Sequence, residues 1–228
     1  MTSKGNAKDS ALRRPPPKAL AELRIRAEAL AGHRIGDLAH ALKVVIPREN
    51  VRAKGFMGQL VERALGADPK AGSKPDFPDL GVELKTIPVN SAGKVTETTF
   101  VCSIRMANAD RETWEHSRLR KKLQRVLWLP IESAQKTSLR DRRIGRAVLW
   151  SPDLIAHELL KGDWEDLMGA IGSGRGGTLT AREGEVLQVR PKAANASVRT
   201  LAPGLAGPQM MLPLGFYLRI GFTTEILR

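Results

Sequence analysis

Asp76, Asp79, Glu83 and Lys85 stand close together in the stretch SKPDFPDLGVELKTIP, whose other residues are mostly apolar or turn-forming. If residues 81–87 form a strand, side chains alternate, so Glu83 and Lys85 project to one side and Val82, Leu84 and Thr86 to the other. A carboxylate and an ammonium then stand side by side. Pro75-Asp76 followed by Glu83-Leu84-Lys85 makes the order Pro-Asp, spacer, Glu-x-Lys. Those residue types together suit in-line cleavage of a phosphodiester, where a developing pentacovalent phosphate must be neutralised and a nucleophile made from water. Mg²⁺ does both when hard oxygen ligands hold it, and Asp76 and Glu83 are the candidate ligands. Lys85 is placed to donate to the attacking water or to a phosphate oxygen. The ordinary alternative is that these carboxylates are solvated caps and that Glu83 and Lys85 form an exposed edge pair worth little.

Such a site needs a body to hold it. The chain has 228 residues, 42% of them hydrophobic, enough for one large domain or two lobes. Its formal charge is +13, of which +9 remains once the first thirty residues are set aside. The basic excess therefore belongs to the body as well as to the N-terminal stretch, and a field of that sign favours a polyanion, most simply nucleic acid. Cys102 is alone, which excludes a disulfide framework and a Cys-based zinc site. His33, His40, His116 and His157 are scattered without metal-ligand spacing. The apolar runs are far shorter than the ~20 residues of a membrane span, and the opening MTSKGNAKDSALRRPPPK lacks the apolar centre of a signal peptide. A cytoplasmic protein with no membrane partner is the expectation.

Residues 1–15 read as a flexible basic tail ending in RRPPP, and residues 16–228 as a single domain. Helical spacing begins in KALAELRIRAEAL, with Gly32 as a stop, and returns from Gly36 to Leu42 and in GFMGQLVERALG, where Glu62 lies on a less apolar face four residues after Gly58. The period then changes. GVELKTIPV and TTFVCSIRM read as paired strands joined by the turn NSAGK, followed by strands RVLWLPIE and RAVLWSP. Between them, TWEHSRLRKKLQR reads as a helix with Leu119, Leu123 and Val126 on its apolar stripe. DLIAHELLKGDWEDLMGAIGSG has the spacing of a long amphipathic helix. GEVLQVRP and FYLRI close the chain as strands before a short helix, TTEILR. Mixed strands with flanking helices give an α/β or α+β class. In LQVRPK, alternation turns Leu187 and Val189 inward and Gln188 and Arg190 outward, and arginine is the side chain best matched to guanine in the major groove. In FYLRI, Phe216, Leu218 and Ile220 share one face and Tyr217 takes the other with Arg219.

The blocks KGFMGQLVERALGA, AGSKPDFPDLGVELKTIPVN, ETTFVC, TWEHSRLRKKLQRVLW and LQVRPKAANA…GFYLRIGFT resemble, in order, the MutH family of DNA mismatch repair endonucleases, from about residue 18 onward. That resemblance implies a restriction endonuclease-like mixed central sheet flanked by helices, with two lobes around a DNA cleft. It implies Mg²⁺-dependent nicking of the unmethylated strand at hemimethylated GATC sites, activated by MutS and MutL. The family's catalytic residues fall on Asp76, Glu83 and Lys85. Its helical glutamate falls on Glu62, a further acidic group near the metal, and a lysine of its basic helix falls on Lys122, near the scissile phosphate. Pro78-Asp79 is a second Pro-Asp pair; Asp76 is preferred because the family's aspartate directly precedes Phe, as Asp76 precedes Phe77. Lys54 matches a position that approaches DNA, Arg190, Pro191 and Lys192 match the base-reading loop, and Tyr217 matches the sensor of adenine methylation. Read without the resemblance, the loop is an ordinary basic turn, Lys54 a solvated lysine, Tyr217 a surface aromatic and Phe100 simple core.

The residues also admit two rival readings. One is a type II restriction endonuclease relative that cuts both strands of GATC. The other is a catalytically inactive DNA-binding module that uses its charge for phosphate contacts alone. One copy of the motif favours a monomeric nicking enzyme over the first, and the intact Asp76, Glu83 and Lys85 argue against the second.

Overall fold

The computed structural model describes residues 14–47, 50–133 and 137–228, and for residues 50–54 the backbone alone. In chain order its helices are α1 (Leu20–Glu28), α2 (Ile35–Ala41), α3 (Asn50–Leu65), α4 (Arg118–Leu123), α5 (Leu154–Ala170) and α6 (Ile220–Ile226). Its strands are β1 (Glu83–Val89), β2 (Thr99–Ser103), β3 (Val126–Glu132), β4 (Val148–Trp150), β5 (Leu187–Pro191), β6 (Thr200–Ala202), β7 (Gln209–Met211) and β8 (Leu214–Leu218). This is the mixed α/β content expected from the change of period along the chain. The residues cluster into two compact units, the described residues up to Thr96 with Arg125–Trp150, and Glu97–Gln124 with Ser151–Arg228. No helix among the described residues is long and apolar enough to cross a membrane.

The first unit is built on the sheet β1-β3-β4. β3 takes the centre because its run Val126–Leu129 is buried on both faces, the pattern of a strand with neighbours on either side and layers above and below. β1 runs parallel to it, with Glu83 opposite Val126 and Lys85 opposite Trp128. Leu60, Val61, Ala64 and Leu65 of α3 join Leu23, Ala27, Ile35, Leu127 and Leu129 in one apolar cluster. The segment before α1 is tied down: Arg26 donates to the carbonyls of Pro15 (2.7 Å) and Leu65 (2.9 Å). Residues 1–13 of the expected tail lie outside the described residues.

The second unit holds the antiparallel sheet β2-β8-β5, the two-stranded ribbon β6-β7, and α5, whose Leu160, Trp164, Leu167 and Met168 are buried. Three expectations change here. GVELKTIPV and TTFVCSIRM are not a hairpin: β1 pairs with β3, β2 pairs with β8, and the turn at NSAGK yields only the single bridge Val89–Val95. A long apolar β3 offered β1 a continuous ladder that the short return after Gly93 did not. TWEHSRLRKKLQR is divided rather than one helix, a 3₁₀ turn at Trp114–His116 and then α4, because Ser117 leaves helical geometry and its hydroxyl caps Arg120 N–H (3.1 Å). Ile220 opens α6 and is exposed, so it does not share the buried face of Phe216 and Leu218.

Candidate active site

The approach to β1 is a tight reversal. Phe77 and Val82 exchange backbone hydrogen bonds of 2.9 and 3.2 Å across the 3₁₀ turn Pro78–Leu80. Gly81 closes that turn with φ +62°, a left-handed conformation that favours glycine. Asp76, just before the reversal, is thereby carried back alongside the strand. The N–H of Glu83 donates to Arg125 O (2.9 Å), towards β3, so by alternation the N–H of Leu84 faces the opposite edge, where the described residues add no further strand to the sheet. Asp76 Oδ2 accepts that N–H at 2.8 Å. Hydrogen bonds to charged groups contribute about 1.5–3 kcal/mol, and this one pins a carboxylate to the peptide that follows Glu83. Asp79 sits exposed in the 3₁₀ turn itself.

Glu83 and Lys85 do project together, and Lys85 Nζ donates to Glu83 Oε1 at 2.7 Å. They are no exposed edge pair: Glu83 is only 2% exposed and the Lys85 side chain 16%. A buried carboxylate is costly unless paired and hydrogen-bonded, and the lysine two residues on supplies that partner. Glu62 lies on α3, the helix that packs against β1. It stands one turn after Gly58, and helical side chains lean towards the N-terminus, so its carboxylate lies over that glycine. A Cβ on Gly58 would be 3.8 Å from Glu62 Oε1 and 3.9 Å from Thr86 Oγ1. Asp76 also lines a cavity of about 250 Å³ with Asp68, Lys74, Asp79 and Pro17 among others.

Among the described residues no group of three or more His, Cys, Asp or Glu side chains converges to hold a metal ion. Mg²⁺ asks for less, since it takes one or two carboxylates from protein and fills its octahedron with water and substrate phosphate. Asp76 and Glu83, two hard oxygen donors at one strand end with an ammonium beside them, fit that requirement.

Elsewhere the sequence-derived residues divide. In the second unit Arg190 and Lys192 are exposed and Tyr217 is half-buried, brought together because β5 and β8 pair with Gln188 opposite Tyr217 and Arg190 opposite Gly215. Gln188 is not outward as alternation suggested: it is buried, and its Oε1 accepts from Arg190 Nε at 3.2 Å. Phe100, which reads as core from the sequence, is half-buried between Tyr217 and Lys192. Its ring packs edge-on against Tyr217 at 5.3 Å, and Lys192 Nζ lies 4.8 Å from its centroid. Any Cβ at Gly215 would meet Phe100 at 2.9 Å, so the glycine opens the space this ring occupies. No sequence signal beyond an aromatic at an alternating position marked Phe100, because its partners come from β8 and from the loop after β5. Lys122 lies on α4, 8% exposed. Lys54 belongs to α3, with a side chain outside the described residues.

A mixed α/β body in which Asp76 is bonded to the strand that carries the Glu83–Lys85 pair has the residue types of a metal-dependent nuclease. The family model of the DNA mismatch repair enzyme MutH matches residues 65–163, the stretch that includes Asp76, Glu83, Lys85 and Lys122. The chain is 50% identical over 216 residues to the DNA mismatch repair protein MutH of Serratia proteamaculans, covering 93% of this chain and 94% of that one. It is 48% identical over 215 residues to MutH of Yersinia pseudotuberculosis, covering 93% of each. The chain belongs to the MutH family of DNA mismatch repair endonucleases, which makes it a hydrolase acting on DNA. Membership implies a divalent metal, DNA binding and mismatch repair partners.

Proposed function

We propose that this protein nicks the unmethylated strand of hemimethylated GATC duplexes in a Mg²⁺-dependent reaction, as a monomer activated by MutL and MutS. The observation that carries the reading is the buried Glu83–Lys85 pair with the Asp76 carboxylate bonded one peptide away. Asp76 and Glu83 hold Mg²⁺, and Glu62 adds negative charge on the adjoining helix. When bound, the ion lowers the pKa of its water and neutralises charge building on the phosphate. Lys85 has three N–H donors, of which Glu83 orients one; another is directed at the attacking water or a phosphate oxygen, where charge develops. Lys122 and Lys54 contribute positive charge towards the DNA backbone. Arg190, Pro191 and Lys192 read base edges, and Tyr217, braced by Phe100, contacts the adenine amino group that methylation would alter. The family name supports the mismatch repair setting, and the +13 charge supports a polyanionic substrate.

Incubating the protein with hemimethylated, unmethylated and fully methylated GATC duplexes plus Mg²⁺ tests this reading. Nicks confined to unmethylated strands support it. Double-strand breaks from a single encounter would make the protein a restriction-type enzyme, and binding without cleavage would make it a DNA-binding module.

A further inference from the structure

The residues preceding β5 are gripped from two sides by groups that no part of the cleavage chemistry requires. Asp163 of α5 accepts three consecutive backbone N–H groups, from Glu185 to Oδ1 at 2.8 Å and from Val186 and Leu187 to Oδ2 at 2.7 Å each. Arg219, just beyond β8, donates through Nε to Gly184 O (3.0 Å) and through Nη2 towards the carbonyls of Ala181 (3.0 Å), Arg182 (2.8 Å) and Glu183 (2.9 Å). Its own N–H donates to Val186 O at 2.8 Å. Carbonyls thus converge on a cation and amide hydrogens on an anion within one short loop. The loop leaves no room for error: Gly184 has φ +82°, and a Cβ there would lie 2.2 Å from Leu187 O and 3.2 Å from Asp163 Cγ.

These bonds end where the β5–β8 ladder begins, at Leu187 opposite Leu218. Because side chains alternate, a slip of one residue would turn every β5 side chain to the other face, taking Arg190 away from its place opposite Gly215 and Gln188 away from Tyr217. We infer that Asp163 and Arg219 are positioning residues for sequence recognition: they lock the register of β5 and so hold Arg190 where it meets a base. The inference rests on the proposed role of Arg190 in reading GATC. Charge-assisted bonds to backbone groups suit this task, since they are short and directional and hold the backbone whatever side chains it carries.

The test compares nicking of GATC with nicking of duplexes altered at one base pair, for wild type, Asp163→Asn and Arg219→Lys, with folding followed by thermal melting. Asparagine keeps one acceptor and turns an NH₂ group against an amide N–H; lysine keeps the cation and the backbone bond but loses the fork. Each folded variant is expected to lower the ratio of GATC to near-site nicking about tenfold, the scale of one lost base contact, while Mg²⁺-dependent nicking of the near sites persists. A folded variant with an unchanged ratio would overturn the inference, as would loss of folding in both, which would assign the pair to stability alone. If wild type itself shows no preference for GATC, the reading of Arg190 fails instead, a result independent of either variant.

Discussion

The strand that carries Glu83 and Lys85 and the sheet that carries Arg190 and Tyr217 are assembled by opposite means. In the first, all three groups of the charged constellation come from ten consecutive residues, folded by one 3₁₀ turn and one left-handed glycine. In the second, Phe100, Arg190, Lys192 and Tyr217 come from three strands and the loop after one of them, and meet only because β8 pairs with both β2 and β5. A locally built site depends on a turn and on burial. A site built across strands depends on register, so damage far from a side chain displaces it.

The largest effects should therefore come from the local constellation. Asp76→Asn and Glu83→Gln keep shape and remove charge, and each is expected to lower Mg²⁺-dependent nicking on the order of 10²-fold or more in a protein that still folds. If Asp79→Asn did this and Asp76→Asn did not, the turn rather than the strand edge would carry the metal ligand. Next comes Arg190→Ala, expected to cost about 1–3 kcal/mol of discrimination, roughly 5- to 150-fold in the ratio of nicking at GATC to nicking at a site altered at the contacted base. Equal losses at both sites would make Arg190 a backbone contact.

A smaller effect sharpens the contrast between the regions. Tyr217→Ser should narrow the ratio of nicking rates on hemimethylated and fully methylated duplexes, and Phe100→Ala should do so partly through Tyr217. A double-mutant cycle on that ratio is expected to show coupling of about 0.5–1.5 kcal/mol, the range for an aromatic pair. Strict additivity would separate the two rings. The smallest effect lies away from both regions. Bonds from Lys18 N–H and then from the Arg26 guanidinium hold the Glu22 carboxyl below its usual range. A carboxyl depressed in the folded state contributes stability above its unfolded pKa and loses it as pH falls through the folded one. The small melting advantage of wild type over Glu22→Gln should therefore shrink on acidification below the usual carboxylate range, with nicking at neutral pH unchanged.

Much of this contrast explains what was legible in the amino-acid order. Glu83-x-Lys85 on alternating strand positions needed only the period of a strand, and the structure placed both side chains together. The long amphipathic helix at residues 154–170 needed only its spacing. The supposed hairpin between GVELKTIPV and TTFVCSIRM failed because adjacency in sequence competed with a better ladder, β3, that lies much further along the chain. Gln188 failed for a related reason. Alternation assigns a face, but whether that face meets solvent depends on what else packs there, and Arg190 Nε gives the buried amide a partner.

By itself, then, the sequence determined the chemistry on offer: two carboxylates and an ammonium in hard-ligand order, a basic body, an arginine on a strand end, and mixed α/β periodicity. Those follow from residue type and short-range spacing, which backbone geometry converts directly into faces. Only tertiary structure decided that the Glu83–Lys85 pair is buried, that Asp76 reaches the open edge of β1, that Phe100 braces Tyr217, and that Asp163 and Arg219 grip the approach to β5 from elements distant in the chain. The burial of the pair, the Phe100–Tyr217 contact and the grip on β5 rest on long-range packing, set by which strands win their ladders and by the need of buried polar groups to find partners, whereas the Asp76 bond also needs the local reversal before β1.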